Sequence, residues 1–365
     1  MGSARPGPNL TRIAASLGIS VATVSNALSG KGRVSVELAE RIRATAAALG
    51  YVPSQAGRAL RTGRSGVLGL VLPDISNPLF PQIAQAIEHS AALAGYGVLI
   101  ADSRGDVGMQ SEAIQRLIER GVDGMVIVPR RGTRIAGAGC PVAIIDTPST
   151  PGNTVSADHW QGGREIARHL RNLGHRKILL IGASSASSVQ NDRIGGFKSA
   201  LDATTIKTEV LWIEKLEERD GPGCLLGLAD KVRQGFTAFA AVSDLHALRA
   251  LTELQRAGIA VPDSASVTGF DDLIWSPVVT PALTTIRMDI TAIAEIAITA
   301  LVSAINDGEP IKRMRPGEAS ADEPLPGSRL VTAEKSRVPM QLIVRQSSGP
   351  LGLAKNETFS GELLT

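Results

Sequence analysis

The chain has 365 residues, 43% hydrophobic and only 3% aromatic, so it can bury a large core that Ala, Val, Leu and Ile must fill. No apolar run reaches the roughly 18–20 residues of a membrane span, and the first residues lack the apolar stretch of a secretion signal, so a cytoplasmic protein without membrane contact is expected. Charge is uneven: residues 1–64 hold nine Lys/Arg against two acids, a balance of +7 in a chain totalling +3, and a basic head on a mildly acidic body is the footprint of a nucleic-acid-binding module.

Three helical patterns open the chain. The first spans about 10–17, with Ile13, Ala14 and Leu17 on one face, and Gly18 stops it by accepting a positive φ. Ser20 is placed to cap a second helix over 21–28, whose inner face is Val24 and Leu28 and whose outer face carries Val21, Ala22, Ser25 and Asn26. Ser35 is placed to cap a third helix over 36–49, with Leu38, Ile42, Ala46 and Leu49 inward. Two short helices about a Gly-containing turn, braced by a third, make a helix-turn-helix. Such a motif lays its second helix in the major groove.

The stretch TRIAASLGISVATVSNALSGKGRVSVELAERIRATAAALGYVPSQAGRALRTGRS resembles the head of the lac repressor/purine repressor family without a gap from Thr11 to Ser65. VATVSNAL and GYVPS…RALRTGRS are its diagnostic parts. The resemblance implies that Val21, Ala22 and Asn26 read bases. This agrees with their chemistry, since Asn bonds adenine N6 and N7 together and small apolar groups suit a thymine methyl. Ser20, Thr23 and Ser25 would hold phosphates, which set register without reading sequence. The resemblance further implies that residues 54–65 form a hinge, a short helix from Ser54 through about Leu60 and a linker, in which Leu60 wedges the minor groove and Arg58 tracks phosphate.

From Gly66 the pattern becomes strand–helix alternation. Strands are expected over 67–72, 98–101, 124–128 and 142–146, then over 177–182, 209–213, 239–243 and 266–270. Helices are expected between them, among them 82–93, 109–119, 163–173, 244–257 and 290–305. Alternation of this kind gives parallel sheets with helices on both faces, here two doubly wound lobes, and ligands bind beyond the carboxyl ends of such strands. Polar residues sit at those ends: Asp74 and Asn77, with the aromatic Phe80, after the first strand, Asp102 after the second, Asp146 after the fourth, Asp244 and Asp271 in the second lobe, with Arg193 expected to open a helix in NDRIGGF. GLVLPDISNPLF, GHRKILLIG, RIGGF, GFDD and TPALTTI resemble the family's periplasmic-binding-protein-like body. That resemblance implies an effector cleft lined by Asn77, Phe80, Asp102, Asp146, Arg193, Ser243, Asp244 and Asp271. Two features depart from it: Ser243-Asp244 stands where an Asn-Asp pair is common, and Leu216 stands near a frequent cleft aromatic.

The expected organisation is therefore a helix-turn-helix domain at 9–53 and a hinge at 54–65. An effector-binding and dimerisation domain follows at 66–346, crossing between lobes near 160 and 286 and carrying an inserted loop at 313–338, and a tail occupies 347–365. The implied function is a DNA-binding transcription regulator, in the first instance a repressor controlled by a sugar. A homodimer would act on a near-palindromic double-stranded operator. A corepressor-responsive regulator taking a nucleobase or other metabolite, and a sugar receptor without DNA function, are the alternatives. An enzyme is not expected: there is no GxxxxGK[ST], GxSxG or HExxH motif. Cys140 and Cys224 lack companions at ligand spacing, and His89, His159, His169, His175 and His246 form no ligand set, so neither metal nor cofactor is expected.

Overall fold

The computed structural model describes residues 10–29, 34–51, 63–133, 135, 138–202, 204–307, 330–333 and 337–350. It divides the chain into two compact units, Met1–Ser65 and Gly66–Thr365. The hinge residues Arg58 and Leu60 and most of the expected 313–338 insertion lie outside the described residues.

The first unit contains α1 (Leu10–Leu17), α2 (Val21–Ser29) and α3 (Val36–Ala48). Gly18 takes φ 65° and Ile19 N closes on Ala14 O at 3.1 Å, which ends α1 with a left-handed residue. The Ser20 hydroxyl accepts from Thr23 N at 3.0 Å and the Ser35 hydroxyl from Leu38 N at 3.3 Å, so both expected caps form. Ile13, Val24 and Ile42 are fully buried at the centre, one from each helix, with Ala14, Ala27 and Ala46 between them. Small side chains at these contacts let three short helices close on one another, with Tyr51 packed at the edge of the cluster.

The body holds two four-stranded parallel sheets. The first comprises β1 (Val67–Leu72), β2 (Gly97–Asp102), β3 (Gly124–Ile127) and β4 (Val142–Ile144) in the order β2-β1-β3-β4. Its helices are α4 (Leu79–Leu93) and α5 (Val107–Glu119). A short β5 (Ser156–Ala157) leads across to α6 (His159–Asn172) and the second sheet: β6 (Lys177–Gly182), β7 (Lys207–Trp212), β8 (Ala238–Ala241) and β9 (Ser266–Thr268), in the order β7-β6-β8-β9. Its connecting helices are α7 (Ser188–Ser199), α8 (Ile213–Asp220), α9 (Leu228–Arg233) and α10 (Asp244–Arg256). Val71 and Ile181 are fully buried within the strands of the two lobes, as strands covered by helices on both faces require.

The chain returns through β10 (Thr285–Met288) to α11 (Ile290–Asp307), which packs on α4, β3 and β4 of the first lobe. The sequence shows no run of membrane-spanning length, yet this 18-residue helix is long and apolar enough to pass such a test. Its Ile293, Ala297, Ile298 and Leu301 are buried in the lobe, as in a core helix. After residues 330–333 beside β4, the strands β11 (Arg337–Val338) and β12 (Met340–Ile343) cross once more, and β12 pairs antiparallel with β10. Among the described residues the lobes are thus joined by three crossings, one more than those expected near 160 and 286.

Two boundaries shift. Ser347, assigned to the tail, is fully buried: it accepts from Val267 N at 2.7 Å and its hydroxyl donates to Val267 O at 2.6 Å. Gly349 N donates to Ser266 Oγ at 3.1 Å, so residues 347–349 close the edge of the second sheet beside β9. Arg193 does not open a helix; it sits mid-way along α7, whose cap is Ser187.

Candidate functional site

On the head, Val21, Ala22 and Asn26 are exposed on the outer face of α2, while Val24 and Ala27 hold its inner face. The alternation follows from the 3.6-residue period, which turns positions 24 and 27 inward together. Ser20 and Thr23 are engaged with each other, their hydroxyls 2.8 Å apart, so the first task of Ser20 is to cap the helix it begins. Ser25 is half-buried on the same helix.

In the body a cavity of about 600 Å³ lies between the lobes, beyond the carboxyl ends of both sheets. Asn77, Phe80 and Asp146 line it from the first lobe, and Arg193, Ser243 and Asp271 from the second. Asn77 Oδ1 accepts from Leu79 N at 3.1 Å, fixing the turn into α4 that carries Phe80. Asp146 accepts from the Thr150 hydroxyl at 2.6 Å; burial raises its pKa, and Asp192 adds to the rise.

The cleft floor is a buried ion pair. Arg193 Nη2 lies 2.8 Å from Asp271 Oδ1, both side chains about 5% exposed. Arg193 Nη1 donates to Val242 O at 2.6 Å, its Nε to His159 Nδ1 at 3.4 Å, and its guanidinium carbon stands 4.0 Å from the Phe270 ring centroid. Burial and the Arg193 charge hold the His159 pKa well below its usual value, so the ring is neutral and carries its proton on Nε2.

Glycines make this approach close enough. A Cβ on Gly163 would stand 2.1 Å from Arg193 O, and one on Gly196 would stand 2.0 Å from Trp160 O. Helices α6 and α7 therefore pack backbone against backbone, which brings His159 of one to Arg193 of the other.

Asp102 and Asp244 do not line the cleft. Asp102 Oδ1 accepts from Ile75 N at 3.2 Å and Arg104 N at 3.1 Å and shapes the turns beside β1 and β2. Asp244 is fully buried and accepts from Leu273 N at 2.8 Å, Ser276 Oγ at 2.5 Å and Thr285 Oγ1 at 2.5 Å. It organises the corner after β9, where Asp271 and Asp272 take φ of 106° and 52°, values uncommon for a residue with a side chain. Asp272 holds the other side of that corner through Arg287 and Arg345, each at 2.6 Å. The corner is over-determined, and the result is that the Asp271 carboxylate is delivered to Arg193. Leu216 is not in the cleft wall either: half-buried, it packs against the second-lobe core.

Comparison with known proteins agrees with both halves. The model of bacterial regulatory proteins of the lacI family matches residues 9–54, and that of the periplasmic binding protein-like domain matches 167–319. An HTH-type transcriptional regulator in the aml 5' region of Streptomyces limosus is 33% identical over 316 residues, 82% of this chain and 88% of that protein. The chain belongs to the lacI family of bacterial regulatory proteins. This lacI-family member is a DNA-binding transcriptional regulator rather than an enzyme. Its fold is that of the lac repressor dimer bound to operator and the anti-inducer ONPF, with TM-score 0.74 at 22% identity over 94% of this chain and all of that one. The same holds for a LacI regulator from Alkaliphilus metalliredigens complexed with D-xylulofuranose, with TM-score 0.64 at 24% identity over 78% of this chain and 99% of that one.

Among the wall residues of this regulator that sequence reasoning missed are His159, Arg130 and Arg131. The rule that placed Asp74 after β1 applies equally to Arg130 and Arg131 after β3. His159 had a weaker signal, its place at the start of the first helix after a lobe crossing.

The buried carboxyl of Asp244 makes a pH prediction. Burial, then repulsion from Asp271, raises its pKa to about 7. A raised carboxyl pKa contributes stability below the unfolded value of 3.8 that is lost as pH climbs towards 7. His246 acts oppositely: burial lowers its pKa to about 4, so its contribution is present above 6.5 and is lost as pH falls towards 4. The two offset each other across one window. Asp244→Asn removes only the first, so the unfolding free energy of that variant should rise more steeply between pH 4 and 7 than in the wild type. Parallel profiles from urea unfolding at several pH values would show that Asp244 does not titrate there.

Proposed function

We propose that the protein is a cytoplasmic repressor whose operator affinity is set by a sugar held between the two lobes. The cleft itself carries this reading: a 600 Å³ cavity whose walls come from both lobes and whose floor is the Arg193–Asp271 pair. Sugars present many hydroxyls, each donor and acceptor, and need a wall mixing carboxylates, amide and guanidinium with an apolar face such as Phe80. Asn77, Asp146, Ser243 and Arg193 with Asp271 are the groups proposed to meet it, with Asp74 and His159 beside them.

On DNA, Val21, Ala22 and Asn26 would meet base edges, Ser20, Thr23, Ser25 and Arg58 phosphates, and Leu60 of the hinge the minor groove. A homodimer would place two such heads on two half-sites. The exposed apolar side chains Ile274, Trp275 and Val278 support a paired second lobe.

Selection from a random duplex library is expected to return a near-palindrome whose binding weakens steeply with salt. Asn26→Ala should then lose about 1–3 kcal/mol and relax preference at one position per half-site with the salt slope unchanged. Failure to enrich any sequence would refute the DNA assignment. An effector must change operator affinity by the same factor by which operator changes effector affinity. Titrations in both directions therefore test the coupling, and the direction of the gel-shift change separates an inducer from a corepressor.

A further inference from the structure

The loop after β3 runs Val128-Pro129-Arg130-Arg131-Gly132-Thr133, and its first four residues stand in the first-lobe wall of the cleft. Gln110 of α5 is fully buried behind it. Its amide nitrogen donates to Val128 O at 3.0 Å, while its oxygen accepts from Arg130 N at 2.9 Å and from the Thr133 hydroxyl. Thr133 N closes the turn on Arg130 O at 3.0 Å. A buried amide whose bonds all go to one loop fixes the backbone of that loop, because releasing it would leave several buried polar groups unpaired.

What this latched loop presents to the cleft is two adjacent arginines. Among the described residues neither guanidinium has an ion-pair or hydrogen-bond partner. The other cationic side chain of the cleft is already neutralised, Arg193 by Asp271 at 2.8 Å. The wall carboxylates are engaged locally, Asp74 with Ser76 at 2.7 Å and Asp146 with Thr150 at 2.6 Å, and hydroxyls suit what remains of them. Across the cleft, Ser187 and Ser188 open α7, whose N-terminus adds potential of the same sign as the arginines.

Building on the proposed effector cleft, we infer that the effector is an anionic sugar derivative, a sugar phosphate or sugar acid, whose charged group is taken by Arg130 and Arg131. Guanidinium forks match the oxygens of phosphate and carboxylate in pairs, and such charge-assisted bonds are stronger than those to a hydroxyl. The hydroxyl end then meets Asp74, Asn77 and Asp146.

The test is thermal unfolding of the full chain at constant ionic strength with matched probes. These are D-ribose and D-ribose 5-phosphate; D-glucose, D-gluconate and D-glucose 6-phosphate; and inorganic phosphate alone. An anionic member of a set should raise Tm at a concentration about tenfold or more below its neutral partner. The paired substitution Arg130→Gln/Arg131→Gln should erase that advantage, and gluconate against glucose 6-phosphate separates carboxylate from phosphate. A neutral sugar binding as tightly as its anionic partner, or anionic binding undiminished in the paired variant, overturns the inference and leaves a sugar effector standing. No shift from any probe, phosphate included, overturns the inference and the sugar reading together.

Discussion

Gly196→Ala is expected to destabilise the body by more than about 4 kcal/mol, despite alanine being the better helix former by about 1 kcal/mol. The added Cβ would lie 2.0 Å from Trp160 O and 2.8 Å from Trp160 C, and neither backbone atom can move without shifting α6 as a whole. Separating the helices would also draw His159 away from Arg193, so effector response should fall with stability. Gly97→Ala is the control: it starts β2, and a Cβ there meets nothing within 4 Å, so a change within about 0.5 kcal/mol is expected. Urea unfolding of both variants reads the difference. A Gly196→Ala body as stable as the wild type would show that the two helices are not held at backbone contact.

Asp271→Ala should cost about 3–5 kcal/mol of stability, in addition to abolishing effector binding. The reason is Arg193, which the substitution would leave buried and charged with Val242 O and His159 as hydrogen-bond partners and the Phe270 ring beside it, but with no counter-charge. Relaxation of the positive φ at position 271 does not offset this, because alanine gains little there. Arg193→Met with Asp271→Ala removes both charges and should recover much of the loss, since a buried pair replaced by apolar groups is often close to neutral. A double-mutant cycle by urea unfolding measures the coupling. Additive losses would mean that the two side chains do not interact.

The helices of the head lie where the periodicity, Gly18, Ser20 and Ser35 put them, because caps and a 3.6-residue period act within one turn of chain. The strands of the body were legible for a similar reason: short apolar runs bounded by Gly, Asp and Ser. Asp102 and Asp244 show where this stops. Each follows or borders a strand, as Asp146 and Asp271 do, and nothing local distinguishes them. The difference is made by distant donors, Ile75 N for Asp102 and Leu273, Ser276 and Thr285 for Asp244. Ser347 was expected in the tail at 347–365. It is buried because Val267 and Thr284 supply its bonds from 80 and 63 residues away.

The sequence by itself thus determined the reading head, the two sets of alternating strands and helices, and the family to which the chain belongs. All three rest on local period, caps and contiguous motifs. Only the tertiary structure decided which carboxylates face the cleft, that His159 and the Arg130–Arg131 loop join its walls, and that α6 and α7 meet through glycine. Those outcomes depend on where three lobe crossings set down residues far apart in the chain, and the direction of a side chain at the end of a strand is settled by the partners it finds there.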